Sequence, residues 1–244
     1  MTTVATPTPS FPQTRWSMIA LAASDDPELG RAALATLCEA YWKPLYAFAR
    51  RRGHSPAQAE DLVQGFFARF LAKNYLAGLD PGAGHFRGYL LAALKNHIAG
   101  EATRARAKKR GGGVTVFSLD VEAAERDYAA QLSDQATPED AYYRAWALTL
   151  LARCRERLRQ EQVAAGKRAR FEALVGTLRG EQTCTYAEIA RRLGISQTAA
   201  KVAAHRLRQR YGELLREELA RTVDDVDAEL RALIEAVGWR KRDV

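Results

Sequence analysis

Gly194 and the residues on either side of it constrain this chain more than any other feature. On its N-terminal side, Tyr186, Ile189, Ala190 and Leu193 recur at steps of three and one to form the apolar face of a short helix. On its C-terminal side, Ala200, Ala204, Leu207 and Tyr211 recur at steps of four, three and four, so they face a core. Gly194 permits the left-handed residue that a sharp turn needs. Ile195 plugs the corner, and Ser196 is a good N-cap for the second helix. Two helices joined in this way make a helix-turn-helix.

The second helix has a polar line as well as a core line. Gln197, Lys201, His205 and Arg208 are all able to donate hydrogen bonds, His205 when it presents a protonated nitrogen. A recognition helix in a major groove needs this arrangement, with N-terminal residues at base edges and flanking cations on phosphates. Arg192 and Ser196, at the turn, join the candidate set. Residues 186–211 carry six bases and one acid. The whole chain has 37 Lys and Arg against 29 Asp and Glu, a net charge of +8 that suits a polyanionic partner.

The rest of the chain also reads as helix. Leu34, Leu37, Tyr41, Leu45 and Phe48 define one face over about residues 29–52. Gly53 stops that helix, and Ser55-Pro56 starts another that runs to about Leu76. Residues 77–85 are a loop rich in Gly and Pro, after which a third long helix begins near Phe86 and ends in the glycines at 111–113. Residues 114–140 hold seven acids and one base; they open with a short β-like stretch, 114–119, and read as a linker. Helical spacing resumes at Pro138. The expectation is all-α: a tail at 1–14, a helical domain at 15–113, an acidic linker at 114–137, a helix-turn-helix domain at 138–221 and a helical extension at 222–244. In the extension, Val226, Leu230, Leu233 and Ile234 are the apolar positions, and Arg240 to Arg242 give it a basic end.

Enzyme chemistry finds no foothold in these residues. The segment 108–113 has the wrong order for a phosphate-binding loop, and no Gly-x-Ser-x-Gly elbow is present. His54, His85, His97 and His205 show no metal-ligand spacing with acids or cysteines. Cys38, Cys154 and Cys184 are too scattered for a disulfide framework and read as buried free thiols. The expectation is no catalytic residue, no metal and no cofactor. No run approaches the ~18 apolar residues of a membrane helix, and the first 14 residues lack the features of a secretory signal, so a cytoplasmic protein without a membrane partner is expected.

Three stretches together carry a family resemblance. Residues 57–64 (AQAEDLVQ), then 66–71 (FFARFL) and 86–97 (FRGYLLAALKNH), resemble conserved region two of sigma-70-family initiation factors. Residues 186–211 resemble their conserved region four, in the family's order and with a linker of suitable length. The lack of an obvious middle domain is similar to the extracytoplasmic-function (ECF) group. Residues 14–17, 146–151 and 214–219 resemble a bacterial subgroup with a C-terminal extension.

The resemblance implies roles for particular residues. Glu60, Asp61 and Gln64 would face the clamp helices of core RNA polymerase. Arg87, Tyr89, Lys95, Asn96 and Arg104 would contact the minus-ten promoter element, with Arg106 among the cations at 102–113 that hold phosphate. Asn74 and the 77–85 loop would capture an unstacked base, and the acidic linker would thread through the polymerase. Arg192, Ser196, Gln197, Lys201, His205 and Arg208 would read the minus-thirty-five element. The implied partners are core RNA polymerase, promoter DNA, and an anti-sigma factor or other regulator. Two other readings stand beside this one: a free helix-turn-helix regulator that binds duplex DNA without polymerase, and a sigma-shaped interaction protein that titrates a partner.

Overall fold

Short polar residues start six of the described helices. The computed structural model describes residues 27–72, 86–107, 120–129, 136–178, 184–220 and 225–238. Among these residues the regular structure is entirely helical, so the chain is all-α as expected: α1 (Pro27–Arg51), α2 (Pro56–Ala72), α3 (Phe86–Ala107), α4 (Val121–Ala129), α5 (Pro138–Ala164), α6 (Arg168–Leu174), a 3-10 turn (Val175–Leu178), α7 (Tyr186–Leu193), α8 (Gln197–Ala220) and α9 (Val226–Val237). The expected tail at 1–14, residues 14–17, Asn74, Leu76, the 77–85 loop, the glycines at 111–113, the β-like stretch at 114–119 and the basic end at 240–242 lie outside the described residues.

Ser55 and Gln58 form a reciprocal cap on α2. The Gln58 amide donates to Ser55 Oγ at 3.3 Å, and the Ser55 amide donates to Gln58 Oε1 at 2.9 Å. Thr137 and Asp140 do the same for α5, with Pro138 at the first helical position. Gly53, at φ +93°, supplies the left-handed residue that separates α1 from α2. On α1, Leu37, Tyr41, Leu45 and Phe48 are each at most 3% exposed, so the expected face is the buried one.

α5 is the spine of the fold. Its 27 residues span about 40 Å. Its most extensive contact is with α1, and it also packs against α6, α8 and α9. Near its N-terminus, the Tyr142 hydroxyl donates to the Arg87 carbonyl of α3 at 2.8 Å. Further along, its Leu151 carbonyl accepts from the Tyr211 hydroxyl of α8 at 2.9 Å. Beyond that, Glu161 takes a bidentate contact from Arg210, whose guanidinium also reaches Glu213 and Glu217. One contiguous apolar cluster runs from Leu37 to Leu233 through this helix. Cys38 and Cys154 are buried in it, and burial pushes the Cys38 thiol up to about 12. Cys184 departs from the buried-thiol reading: it is exposed, on the turn before α7.

Part of the acidic stretch read as a linker is helical. Asp120 caps α4, accepting from the Ala123 amide at 3.0 Å. From α4, Glu125 accepts from Arg50 Nη2 at 2.6 Å and from the Tyr46 hydroxyl at 2.7 Å, and Asp127 pairs with Lys43 at 2.7 Å. The negative charge of this segment is therefore spent partly on docking α4 against α1. The hydrogen bonds from Arg50, and secondarily from Tyr46, hold the Glu125 carboxyl below its ordinary pKa. A depressed folded-state pKa gives stability that is complete above the ordinary value and lost as pH falls through the folded one. Glu125→Gln is expected to weaken α4 docking by about 1 kcal/mol at neutral pH. The same loosening should appear in wild type on acidification below about pH 4.5, the ordinary glutamate value. Hydrogen exchange along α4 measures both, and protection unchanged in the variant would refute this role for Glu125.

Candidate nucleic-acid interface

The two helices on either side of Gly194 form as their local chemistry dictates. Thr185 and Glu188 make a capping box at the start of α7; the Thr185 amide reaches Glu188 Oε2 at 2.7 Å. These backbone and side-chain hydrogen bonds hold the Glu188 carboxyl below its usual range. Gly194 ends α7 at φ +64° and ψ 31°, and the Ile195 amide closes the turn on the Ala190 carbonyl at 3.1 Å. Ser196 Oγ accepts from the Ala199 amide at 3.1 Å, so this residue caps α8. Ala200, Ala204, Leu207 and Tyr211 are buried, and Ala203 joins them.

The six candidate groove residues are exposed: Arg192, Ser196, Gln197, Lys201, His205 and Arg208. Arg208 is also tethered, its Nη1 donating to the Tyr186 hydroxyl at 3.2 Å, which leans it toward α7. At about 100° per residue, the line most opposite the buried face runs through Thr198, Val202, His205 and Gln209. Gln197, Lys201 and Arg208 lie on its flank, and Arg206 lies on the other side. Thr198, Val202, Arg206 and Gln209 are all exposed and were absent from the sequence-based set. A helical projection centred on Ala200, Ala204 and Leu207 would have revealed them.

The candidates on α3 are placed differently. Arg87 is largely buried: its guanidinium makes a two-pronged ion pair with Glu229 of α9, with Nη2 to Oε2 at 2.8 Å. It also lies over the rings of Trp146, 4.7 Å from the centroid, and Tyr143, 5.7 Å away. Burial pulls the pKa of this guanidinium below its ordinary value, but arginine remains charged, so the carboxylate and aromatic faces compensate a cation withdrawn from water. Lys95 pairs with Glu139 at the start of α5, at 2.6 Å, with its ammonium 5.7 Å from the Phe48 centroid. That contact holds the Glu139 carboxyl below its usual range. Asn96 is exposed and Tyr89 half-buried. The backbone at Arg104 and Arg106 belongs to α3, while their side chains, like Asn74, lie outside what the structure describes.

Tyr89 and Asn96 line a cavity of about 290 Å³ between α2 and α3, together with Phe66, Arg69, Phe70 and His97. The rings are set edge-on or tilted: Phe66 to His97 at 5.9 Å and Phe70 to Tyr89 at 6.4 Å. Burial lowers the His97 pKa, which favours the neutral imidazole. Aromatic faces, an amide and an arginine around a small cleft can stack and hydrogen-bond a flat heterocycle. Phe66, Arg69, Phe70 and His97 were not among the candidate contacts, because sequence shows which face of a helix is apolar but not which residues of two helices enclose a cleft.

The three residues expected to face polymerase sit together on α2. Gln64 Nε2 donates to Glu60 Oε1 at 3.1 Å, and Asp61 is exposed beside them. No group of His, Cys, Asp and Glu among the described residues could hold a metal ion.

α9 was expected to be helical, and it is capped by Asp225, whose Oδ1 accepts from the Ala228 amide at 2.9 Å. Its Leu233 is buried, while Ile234 is 42% exposed. It packs on α5 and α8 and sends Glu229 across to α3.

Comparison with known proteins fits this arrangement. No curated protein and no solved structure matches the chain. Residues 37–108, which run from within α1 past the end of α3, match the family model of Sigma-70 region 2. The match spans 72 of the 244 residues, and it shows that this stretch is similar to that region.

Proposed function

We propose that this chain is a transcription initiation factor of the ECF group with a C-terminal extension. It binds core RNA polymerase through the α2 surface at Glu60, Asp61 and Gln64, directs it to promoters and assists DNA opening. The observation that carries the reading is the joint presence of a region-two-like α1–α3 unit and an exposed, cationic helix-turn-helix on one chain. α7–α8 reads the minus-thirty-five duplex from the major groove. The cleft between α2 and α3 takes an unstacked minus-ten base against Phe66, Phe70 and Tyr89, with Asn96 supplying hydrogen bonds. Binding free energy drives opening, and the chain performs no covalent chemistry. It works in the cytoplasm, under the control of an anti-sigma factor or other regulator. No helix among the described residues is long and apolar enough to cross a membrane.

The Arg87–Glu229 pair adds a condition to this reading. Arg87 can meet minus-ten DNA only after α9 has withdrawn Glu229, so the extension governs access to that contact.

Reconstitution with core polymerase tests the proposal. The full-length chain is expected to co-elute with core enzyme at sub-micromolar concentration and to direct promoter-dependent transcription. Lys201→Ala should cut that transcription about tenfold, near the lower end of the ~1–3 kcal/mol carried by a good base or phosphate contact, while co-elution is unchanged. Folded protein that fails to co-elute, or Lys201→Ala and Arg208→Ala variants that both transcribe like wild type, would overturn it.

A further inference from the structure

We infer that Val202 is a base-reading residue that packs against the 5-methyl group of a thymine in the major groove. The inference rests on α7–α8 being a groove-binding unit and adds to that reading the chemistry of one recognised position. Val202 is 44% exposed, and among the described residues only Leu29, Val163 and Ile234 are its equals as exposed large apolar side chains. It is the sixth residue of α8 and stands on the line facing away from the buried Ala200, Ala204 and Leu207. The first turns of a recognition helix are the ones that reach base edges.

The surroundings select the occupant. Lys201, His205 and Arg206 are exposed around Val202, with Thr198 one turn before it. An apolar protein surface pressed onto this spot would desolvate Lys201 and Arg206 without compensation. Duplex DNA offers the complementary pattern: phosphates at the groove rims, hydrogen-bonding edges on its floor, and one apolar feature, the thymine methyl. The side chain also suits the task. A β-branched valine on a helix is nearly confined to one rotamer, so little freedom is lost when its methyl groups meet a partner. The fold does not call for valine here, because the side chain leaves the core and alanine is the better helix former.

The test uses the full-length chain in complex with core polymerase, the form in which the proposed function places it on duplex DNA. Duplexes are selected from a randomised pool, and the winner's affinity is measured by fluorescence anisotropy. Each thymine in it is then replaced in turn by deoxyuridine, which removes only the methyl group. At one position this should weaken wild type about fourfold, the loss of roughly one buried methyl-sized group. Val202→Ala should weaken binding to the thymine duplex by a similar factor and be indifferent to deoxyuridine at that position. If no duplex is enriched, the groove-binding reading fails and the inference with it. If a duplex is enriched but no deoxyuridine weakens wild type, or wild type and Val202→Ala respond alike, groove binding stands and the role of Val202 is overturned.

Discussion

Glu229→Ala lowers the stability of the folded chain by about 3–5 kcal/mol, because it strands the Arg87 cation in a site built around a carboxylate. The side chains of Arg87 and Glu229 are only 13% and 4% exposed, so water cannot replace the missing partner without moving α9. The Trp146 and Tyr143 faces soften the loss but do not abolish it, since a cation over a ring gains about 0.5–2 kcal/mol. Glu229→Gln keeps the shape and should cost less. Arg87→Met with Glu229→Leu removes both charges and should recover most of the loss, since well-packed apolar pairs often replace buried ion pairs without penalty. Urea unfolding of the four proteins measures this. Hydrogen exchange in α9 separates global destabilisation from local release of the last helix. A Glu229→Ala variant within about 0.5 kcal/mol of wild type, with α9 protection intact, would show that the pair holds nothing.

Tyr211→Ala costs a similar amount, about 3–5 kcal/mol, for a different reason. Tyr211 is the last member of the buried line on α8 that the helix-turn-helix motif announces, and its hydroxyl is bonded to the Leu151 carbonyl in the middle of α5. Truncation opens a cavity between these helices and leaves that carbonyl with no phenol to accept from. Tyr211→Phe keeps the volume and loses only the hydrogen bond, so about 1 kcal/mol is expected. Urea midpoints of the two variants give the comparison. Equal losses would mean that the hydroxyl, rather than the ring packing, carries the contact between α8 and α5.

These two positions differ in how readable they were. The burial of Tyr211 follows from its spacing to Ala200, Ala204 and Leu207, because a helix repeats its faces every three to four residues. The turn at Gly194, the cap at Ser196 and the start at Ser55-Pro56 are local too, since each satisfies backbone groups within a few residues of itself. The region-two-like segment was legible as a family resemblance carried by residues 57–64, 66–71 and 86–97, and the family match at 37–108 covers it. The resemblance implied that Arg87 would contact minus-ten DNA, and nothing near it in the chain points to an ion-pair partner. Its partner lies 142 residues away. Lys95 was likewise read as a DNA contact, yet its nearest acid is Glu139 across the α3–α5 boundary.

The sequence by itself determined that the described residues are mainly helical, that helices start at Ser55-Pro56, near Phe86, at Pro138 and after Ser196, that the chain turns at Gly194, and which faces of α1 and α8 are apolar, but it missed the α4 helix inside the acidic stretch. Those properties depend on hydrogen bonds and side-chain periods spanning about four residues. Only the tertiary structure decided that α5 joins the α1–α3 unit to α8, that α4 docks its acids on α1 and that α9 covers Arg87. An apolar face shows that a helix must be covered but does not name what covers it, because burial free energy depends on area and hardly on direction. The partner is chosen by how all the helices pack at once, and so are the charges that remain free to meet nucleic acid.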